Sequence, residues 1–483
     1  MNCNYYTNVK REEKMKKITS ILLVAVMVTL MVVGCGTQGE DVATGDSAEN
    51  TTADNGTTDA GSADASDETS EAQADINEDG TVNNPESVEV KEGSLVFWSL
   101  FSGGDGGFMD EMIDAYNSEG PDMEVQPIML VWADYYTKLQ TAVAAGKGPD
   151  IGVSHVSKLP ELVEQGAVVP IDSYLEDIGV SMSDLYTDGS IDSVTFSGDT
   201  YGIPLDTHAE IMYYNRDILD EAGVELNSEG KLEINSADDF ISILDKIKLV
   251  IPDGSSALAL TNSGDDPYRV WWATYFQMNG TAILSEDGTE VTLDKEVAME
   301  AAKFVKSLYE EGYILEGIDD HQAFFQSGKA GILFGGTWAT GAFEKTEGLN
   351  FGAQNFPKLF ETDACWADAH IMIIPFAKDR TEQETLESVK FIVSAASDGG
   401  VTWAKSGQIP SNVQVVNSDE YAALDYRSDY KNALNTAVLP PQSSSFYAMK
   451  AGMIDTLNAY WTGQNDVETA INNLYSELES NIF

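Results

Sequence analysis

Hydrophobic and polar positions along this 483-residue chain fall into three regimes. The first is a single apolar run, ITSILLVAVMVTLMVVG, at residues 18–34. The second, from Gly36 to about Gly93, has almost no apolar pattern. The third, from Ser94 onward, alternates short apolar runs with longer segments of helical spacing. LVFWSL (95–100), MEVQPIML (123–130) and PDIGVSH (149–155) read as strands. Gly107 to Asn117, Trp132 to Ala145 and LPELVEQGAV (159–168) read as the helices between them. Downstream, ADDFISILDKIKLV (237–250), DKEVAMEAAKFVKSLYEEG (294–312) and VETAINNLYSELE (467–479) carry apolar residues at helical intervals, with their stripes facing a core. Strands alternating with helices predict βα units around a mainly parallel sheet, an α/β fold. No internal repeat appears, and the Gly-Gly pairs at 103–104, 106–107 and 335–336 lack the spacing of a nucleotide loop.

The apolar run follows Lys14, Lys16 and Lys17 and ends at Gly34-Cys35. A basic start, an apolar centre and small residues at the cut describe a secretory signal, and the run is short for a membrane span. Val32-Val33-Gly34-Cys35 resembles the bacterial lipobox, in which the cysteine becomes the lipidated first residue, although Val is less usual than Leu at its first position. Residues 1–35 are thus expected to be a signal peptide with a lipobox, lipidated at Cys35, with residues 1–14 an upstream extension before Met15. The rest of the chain is then extracytoplasmic and anchored to the membrane by lipid; a retained anchor helix is the alternative.

Residues 36–93 read as a disordered acidic tether. Between Glu40 and Glu92 there are sixteen Asp and Glu against one lysine, Lys91, and no aromatic residue. Such a segment buries too little apolar surface to offset its ordering entropy. Within it, DINEDGTVNNPE matches a calcium-loop spacing at Asp75, Asn77, Asp79, Gly80 and Glu86. Its flanks do not supply a helix pair, so a chance match in an acidic linker competes with a site, and no metal is assigned.

Composition then removes whole classes of partner. With 27 Lys and Arg against 80 Asp and Glu, the formal charge is −53. That argues against nucleic acid, which requires basic stripes, and against polyanionic ligands. Cys3 and Cys35 lie in the targeting segment, which leaves Cys365 alone in the body, without a disulfide partner and without a catalytic motif.

Four stretches resemble one family. LQTAVAAGKGPDIGVSH (139–155), YGIPLDTHAEIMYYN (201–215), FFQSGKAGILFGGTWATG (324–341) and VTWAKSGQIPS (401–411) are similar to the extracellular family 1 solute-binding proteins. These are sugar-binding lipoproteins of carbohydrate ABC importers, distantly like maltose-binding protein. The likeness spans 94–483 in order. It implies a periplasmic-binding-protein-like fold, two α/β lobes joined by crossover strands with a ligand cleft between them. Residues 94–205 plus 371–437 would form the first lobe, and 208–366 plus 441–483 the second. The crossovers would be Tyr201–Asn215, with Asp206 and His208 facing the cleft, and CWADAHIMIIPF (365–376), with Trp366, Asp368 and His370 there. A surface strand with satisfied polar groups is the other reading of both.

Sugar explains the residue types. A pyranose has an apolar C–H face, which suits an aromatic ring, and a rim of hydroxyls, which suits carboxylates, amides and imidazoles. By the resemblance, Trp338 and the pair Phe446-Tyr447 are stacking candidates, with helix-start packing open for the pair. Trp271 and Trp272 point about 100° apart on a helix, so one of them is expected at the cleft. Ser102 and Asp105 follow the first strand and His155 ends the third, where open α/β sheets place ligand groups. Trp98 is expected in the core, and Asp134 is equally an N-cap. Three of the four histidines fall at these positions, but their sequence spacing is no zinc motif. The expected function is capture of an oligosaccharide, by a monomer without cofactors, for delivery to an importer's permease. A secreted glycoside hydrolase is the rival from another class, and the same fold holding a polyamine is a third reading.

Overall fold

A computed structural model describes residues 76–482, apart from Glu78 and residues 286–287. The signal segment, Cys35 and Asp75 therefore lie outside the described residues. In chain order the main strands are β1 (Leu95–Ser99), β2 (Val125–Met129), β3 (Ile151–His155), β4 (Ile203–Pro204), β5 (Asp206–Asn215) and β6 (Ser256–Ala259). They continue with β7 (Ala330–Gly336), β8 (Phe351–Asn355), β9 (Cys365–Asp368), β10 (His370–Ile373), β11 (Ile409–Pro410) and β12 (Ala437–Val438).

Two sheets result, each with its own apolar core. The first has the order β2-β1-β3-β10-β4, and the second has β12-β9-β5-β7-β6, with β8 and β11 also on β5. Strands β1, β2 and β3 are parallel, as βα units require. The crossing strands break that rule: β10 is antiparallel to β3 and β4, and β5 is antiparallel to β7, β8 and β9. The expectation of mainly parallel sheets thus holds only for the βα portions. A strand that leaves one lobe and one that returns run in opposite senses.

Helices stand close to where apolar spacing placed them, at Gly106–Ser118, Trp132–Ala144, Ala237–Lys248, Lys295–Glu310 and Val467–Ser480. Side-chain caps define the starts of the last three. Ser236 accepts the N–H of Asp239 at 3.2 Å, Asp294 that of Glu296 at 3.0 Å, and Asp466 that of Thr469 at 2.8 Å. The helix expected over 159–168 stops at Glu164, because Gly166 takes φ +64° and turns the chain back.

One core gathers side chains from Val82 to Leu205, Ile371 to Ile374 and Val389 to Trp403. The other gathers them from Ala209 to Ala367 and from Phe446 to Leu478. Two boundaries differ from the sequence reading. The ordered body begins before Ser94: Thr81 and Val82 are buried, and the Val82 N–H donates to the Met129 carbonyl at 2.8 Å. The segment from Ala404 to Ala433, read as part of the first lobe, sends its buried residues into the second core. Arg427 explains this attachment. Its guanidinium is 1 % exposed, donates to the Ala404 carbonyl at 2.9 Å and pairs with Glu344 at 2.6 Å.

Two positions in this frame carry testable costs. Gly407, between the helix Gly400–Lys405 and β11, has φ +115°, and a Cβ there would meet the Thr337 carbonyl at 1.9 Å. Gly407→Ala should cost about 2–4 kcal/mol, read as a lower melting temperature, because neither the backbone angle nor the overlap can be relieved locally. Glu210, on β5, is 0 % exposed, and neither carboxylate oxygen finds a hydrogen-bond partner. Burial pushes its carboxyl from 4.5 up to about 8, against the pull of nearby Arg269. The folded protein therefore keeps a proton that the unfolded chain releases near pH 4.5, and stability falls as pH rises from about 4.5 to about 8. Glu210→Gln should melt above the parent at about pH 8, with the gap closing near pH 5. Melting curves across that range check it, and a gap independent of pH would contradict the assignment.

Candidate functional site

Strand register builds the floor of a cleft between the lobes. His370 on β10 stands opposite His155 on β3. Asp368 on β9 stands opposite His208 on β5. Because residues two apart on a strand share a face, Asp206 and His208 project together from β5, as Trp366 and Asp368 do from β9. Strands β9 and β10 are two halves of one run broken at Ala369, so a single stretch of chain serves both sheets.

Asp206 organises this floor. It is 0 % exposed, and four donors surround it. The Trp403 indole donates at 2.7 Å, His370 Nδ1 lies at 2.9 Å, the His370 backbone N–H donates at 3.2 Å, and His208 Nδ1 lies at 3.3 Å. Burial alone would raise its pKa, but the charge of His370 and the hydrogen bonds from both histidines outweigh it and hold the carboxyl well below its ordinary range. For His370, burial is likewise outweighed by Asp206, and its pKa is raised. Burial and the His370 charge instead lower those of His155 and His208. The floor therefore favours the charged form of His370 beside Asp206 and disfavours it at His155 and His208.

Around it lies a cavity of about 340 Å³ lined by both lobes. Ser102, Asp105 and His155 come from the first lobe, and Trp338, Tyr447, Arg269 and Lys450 from the second, with His208, Trp366, Asp368 and His370 on the crossing strands. Asp105, whose carboxylate accepts from the Gln408 amide at 3.2 Å, has its carboxyl raised by burial to about 6. The Arg269 guanidinium lies 4.5 Å from the Trp366 ring centroid and 5.1 Å from that of Trp338. Cation–π contact with both indoles holds the two aromatic walls in position.

The structure brings together Ser102, Asp105, His155, His208, Trp338, Trp366, His370 and Tyr447 at this cavity. It does not bring the others. Asp206 is spent on its four donors beneath the floor. Trp271 and Trp272 are 0 % and 1 % exposed; their indoles donate to the carbonyls of Ala298 at 3.1 Å and Val438 at 2.9 Å. Both are core, because the helix Asp265–Gln277 is enclosed along most of its length and turns its first turns toward the cleft. Phe446 is buried at the start of its helix while Tyr447, one residue on, faces the cavity. Asp134 is exposed and pairs with Lys138 at 3.1 Å. In the calcium-like loop, Asn77 donates to Thr81 at 2.8 Å, and Asp79 accepts from the Thr81 N–H and hydroxyl at 2.9 and 2.7 Å.

Sequence reasoning missed the cations. Arg269 and Lys450 line the cavity, each beside an acid at the start of the helix Asp265–Gln277: Arg269 pairs with Asp266 at 3.3 Å and Lys450, from the helix Phe446–Trp461, with Asp265. The run DDPYR, with acid and base four residues apart ahead of the paired tryptophans, was the available signal.

Among the described residues no helix is long and apolar enough to cross a membrane. A putative binding protein of Brucella abortus is 25 % identical over 263 residues, 53 % of this chain and 61 % of that protein, so the alignment spans under two thirds of that relative. The maltooligosaccharide ABC transporter solute-binding lipoprotein of Streptococcus pneumoniae is 22 % identical over 71 % of this chain and 79 % of its own. The crystal structures of the GacH receptor of Streptomyces glaucescens, unliganded and in complex with acarbose, share the fold with a TM-score of 0.71 at 19 % identity, over 82 % of this chain and 99 % of that one. The family of bacterial extracellular solute-binding proteins matches residues 111–427, and the chain belongs to that family.

Proposed function

We propose that this protein is an extracytoplasmic receptor, anchored through a lipid on Cys35, that closes on an oligosaccharide and presents it to an ABC importer permease. One observation carries the reading: both lobes give hydrogen-bonding groups to one cavity whose walls are indole and phenol faces. Trp338, Trp366 and Tyr447 offer surface for the C–H faces of sugar rings, and Ser102, Asp105, Asp368 and the imidazoles offer partners for hydroxyls. A ligand that touches both lobes favours the closed arrangement by its differential affinity for it, and no bond need be cut. The pneumococcal relative's name, with its maltooligosaccharide, transporter and lipoprotein terms, and the acarbose complex of GacH support the same class of ligand.

The cleft cations do not shift the reading to an anionic solute, since Arg269 and Lys450 are matched by Asp266 and Asp265. A thermal-shift screen of the purified protein against malto-, manno-, galacto- and arabino-oligosaccharides should give at least one stabilising ligand. Trp338→Ala should then weaken that ligand about tenfold or more by calorimetry, from lost apolar contact and stacking, with little change in melting temperature. Failure of the whole panel would sink the proposal. Shorter sugars appearing during incubation would replace it with hydrolysis.

A further inference from the structure

We infer that the cleft floor is also a transition-metal site, with His155, His208 and His370 as its ligands and an open coordination position toward the cavity. This goes beyond the oligosaccharide reading and does not depend on it. One ring nitrogen from each of the three histidines lies within 4.8 Å of one from each of the others. Three imidazoles around a tetrahedral ion have nitrogens ~3.3 Å apart, as bonds of about 2.0–2.1 Å require, so modest ring shifts complete the geometry.

The outer partners are those a metal site needs. His208 Nδ1 and His370 Nδ1 both lie against Asp206, at 3.3 and 2.9 Å, and His155 Nδ1 lies 2.6 Å from the Tyr136 hydroxyl. Those contacts fix each ring and leave its Nε2 as the nitrogen available to an ion; ligating histidines are held in this way by carboxylates and hydroxyls. The three rings also pack on one another, His208 with His370 at 4.1 Å between centroids and His155 with each at 5.3 and 4.9 Å. Three imidazoles thus crowd together at the cavity floor. A divalent cation gives all three a shared partner.

Donor chemistry selects the ion. Three imidazole nitrogens without a thiolate suit zinc, nickel or copper and do not suit calcium or magnesium, which take oxygen. Cys365 is elsewhere, 3.6 Å from the Thr436 hydroxyl. Asp368 is held by Ser157, and Asp105 by Gln408, so neither is needed as a fourth ligand. The vacant direction faces the cavity, where a ligand hydroxyl or water completes the set.

The test uses the purified chain stripped with EDTA. Titration with Co²⁺, followed by its visible absorption and by competition with Zn²⁺, should show one nitrogen-coordinated ion per chain. His155→Ala should weaken binding at least about 100-fold, and Tyr136→Phe, which keeps the ring packing, about 10-fold or more. Calorimetric melting of each variant separates lost ligation from lost folding. No retained Zn²⁺ at tens of micromolar free ion would overturn the assignment. So would a bound ion indifferent to His155→Ala, which would place it on the acidic surface. Oligosaccharide binding measured in EDTA reports on the receptor proposal separately, so either reading can fail alone.

Discussion

The arrangement depends on one buried carboxylate. Asp206 sits at the point where the chain leaves the first sheet for the second, and its acceptors are filled by His370, His208 and Trp403. Each donor belongs to a different segment: the returning strand, the outgoing strand, and the helix Gly400–Lys405 that packs on the first core. A bare carboxylate there would cost several kcal/mol to bury, whereas one with full hydrogen bonding, two of its donors from His370, is tolerated. The same contacts that neutralise it orient the rings that face the cavity. Structure and site are therefore not separable at this residue.

The walls follow a different logic. The chain carries a formal charge of −53, yet the cations of the cavity are matched locally by Asp265 and Asp266. The acidity belongs to the molecule as a whole, and the matched wall cations give the cleft no strong pull on an anion. What remains to discriminate ligands is shape, aromatic area and hydrogen-bond direction. Arg269 contributes by bracing two indoles with its planar face. It is a support for apolar surface as much as a polar group.

Much of this was legible in the residues. Helices with a clear apolar stripe, such as Ala237–Lys248 and Lys295–Glu310, fell where spacing placed them, since a stripe that must be buried fixes the element. The polar alternation in DTHAE and in WADAH marked two strands whose polar faces turn into one gap. What failed was side-chain direction on helices. Trp271, Trp272 and Phe446 read as cleft aromatics from residue type, but their azimuth depends on which side of the helix meets the core, and adjacent residues differ by about 100°. Arg269 was hidden for the same reason, two residues before the tryptophan pair. The convergence of three histidines is set by pairing between strands far apart in the chain, His370 with His155 and Asp368 with His208, which spacing along the chain does not encode.

The break at Ala369 has a further consequence. Wherever two bodies swing about connecting ribbons, the ribbons absorb the angular change, and here the ribbons also form the floor of the cavity. In the receptor we propose, contact with a guest and bending of the linkers involve the same few peptide units, with no relay of intervening residues between recognition and swing.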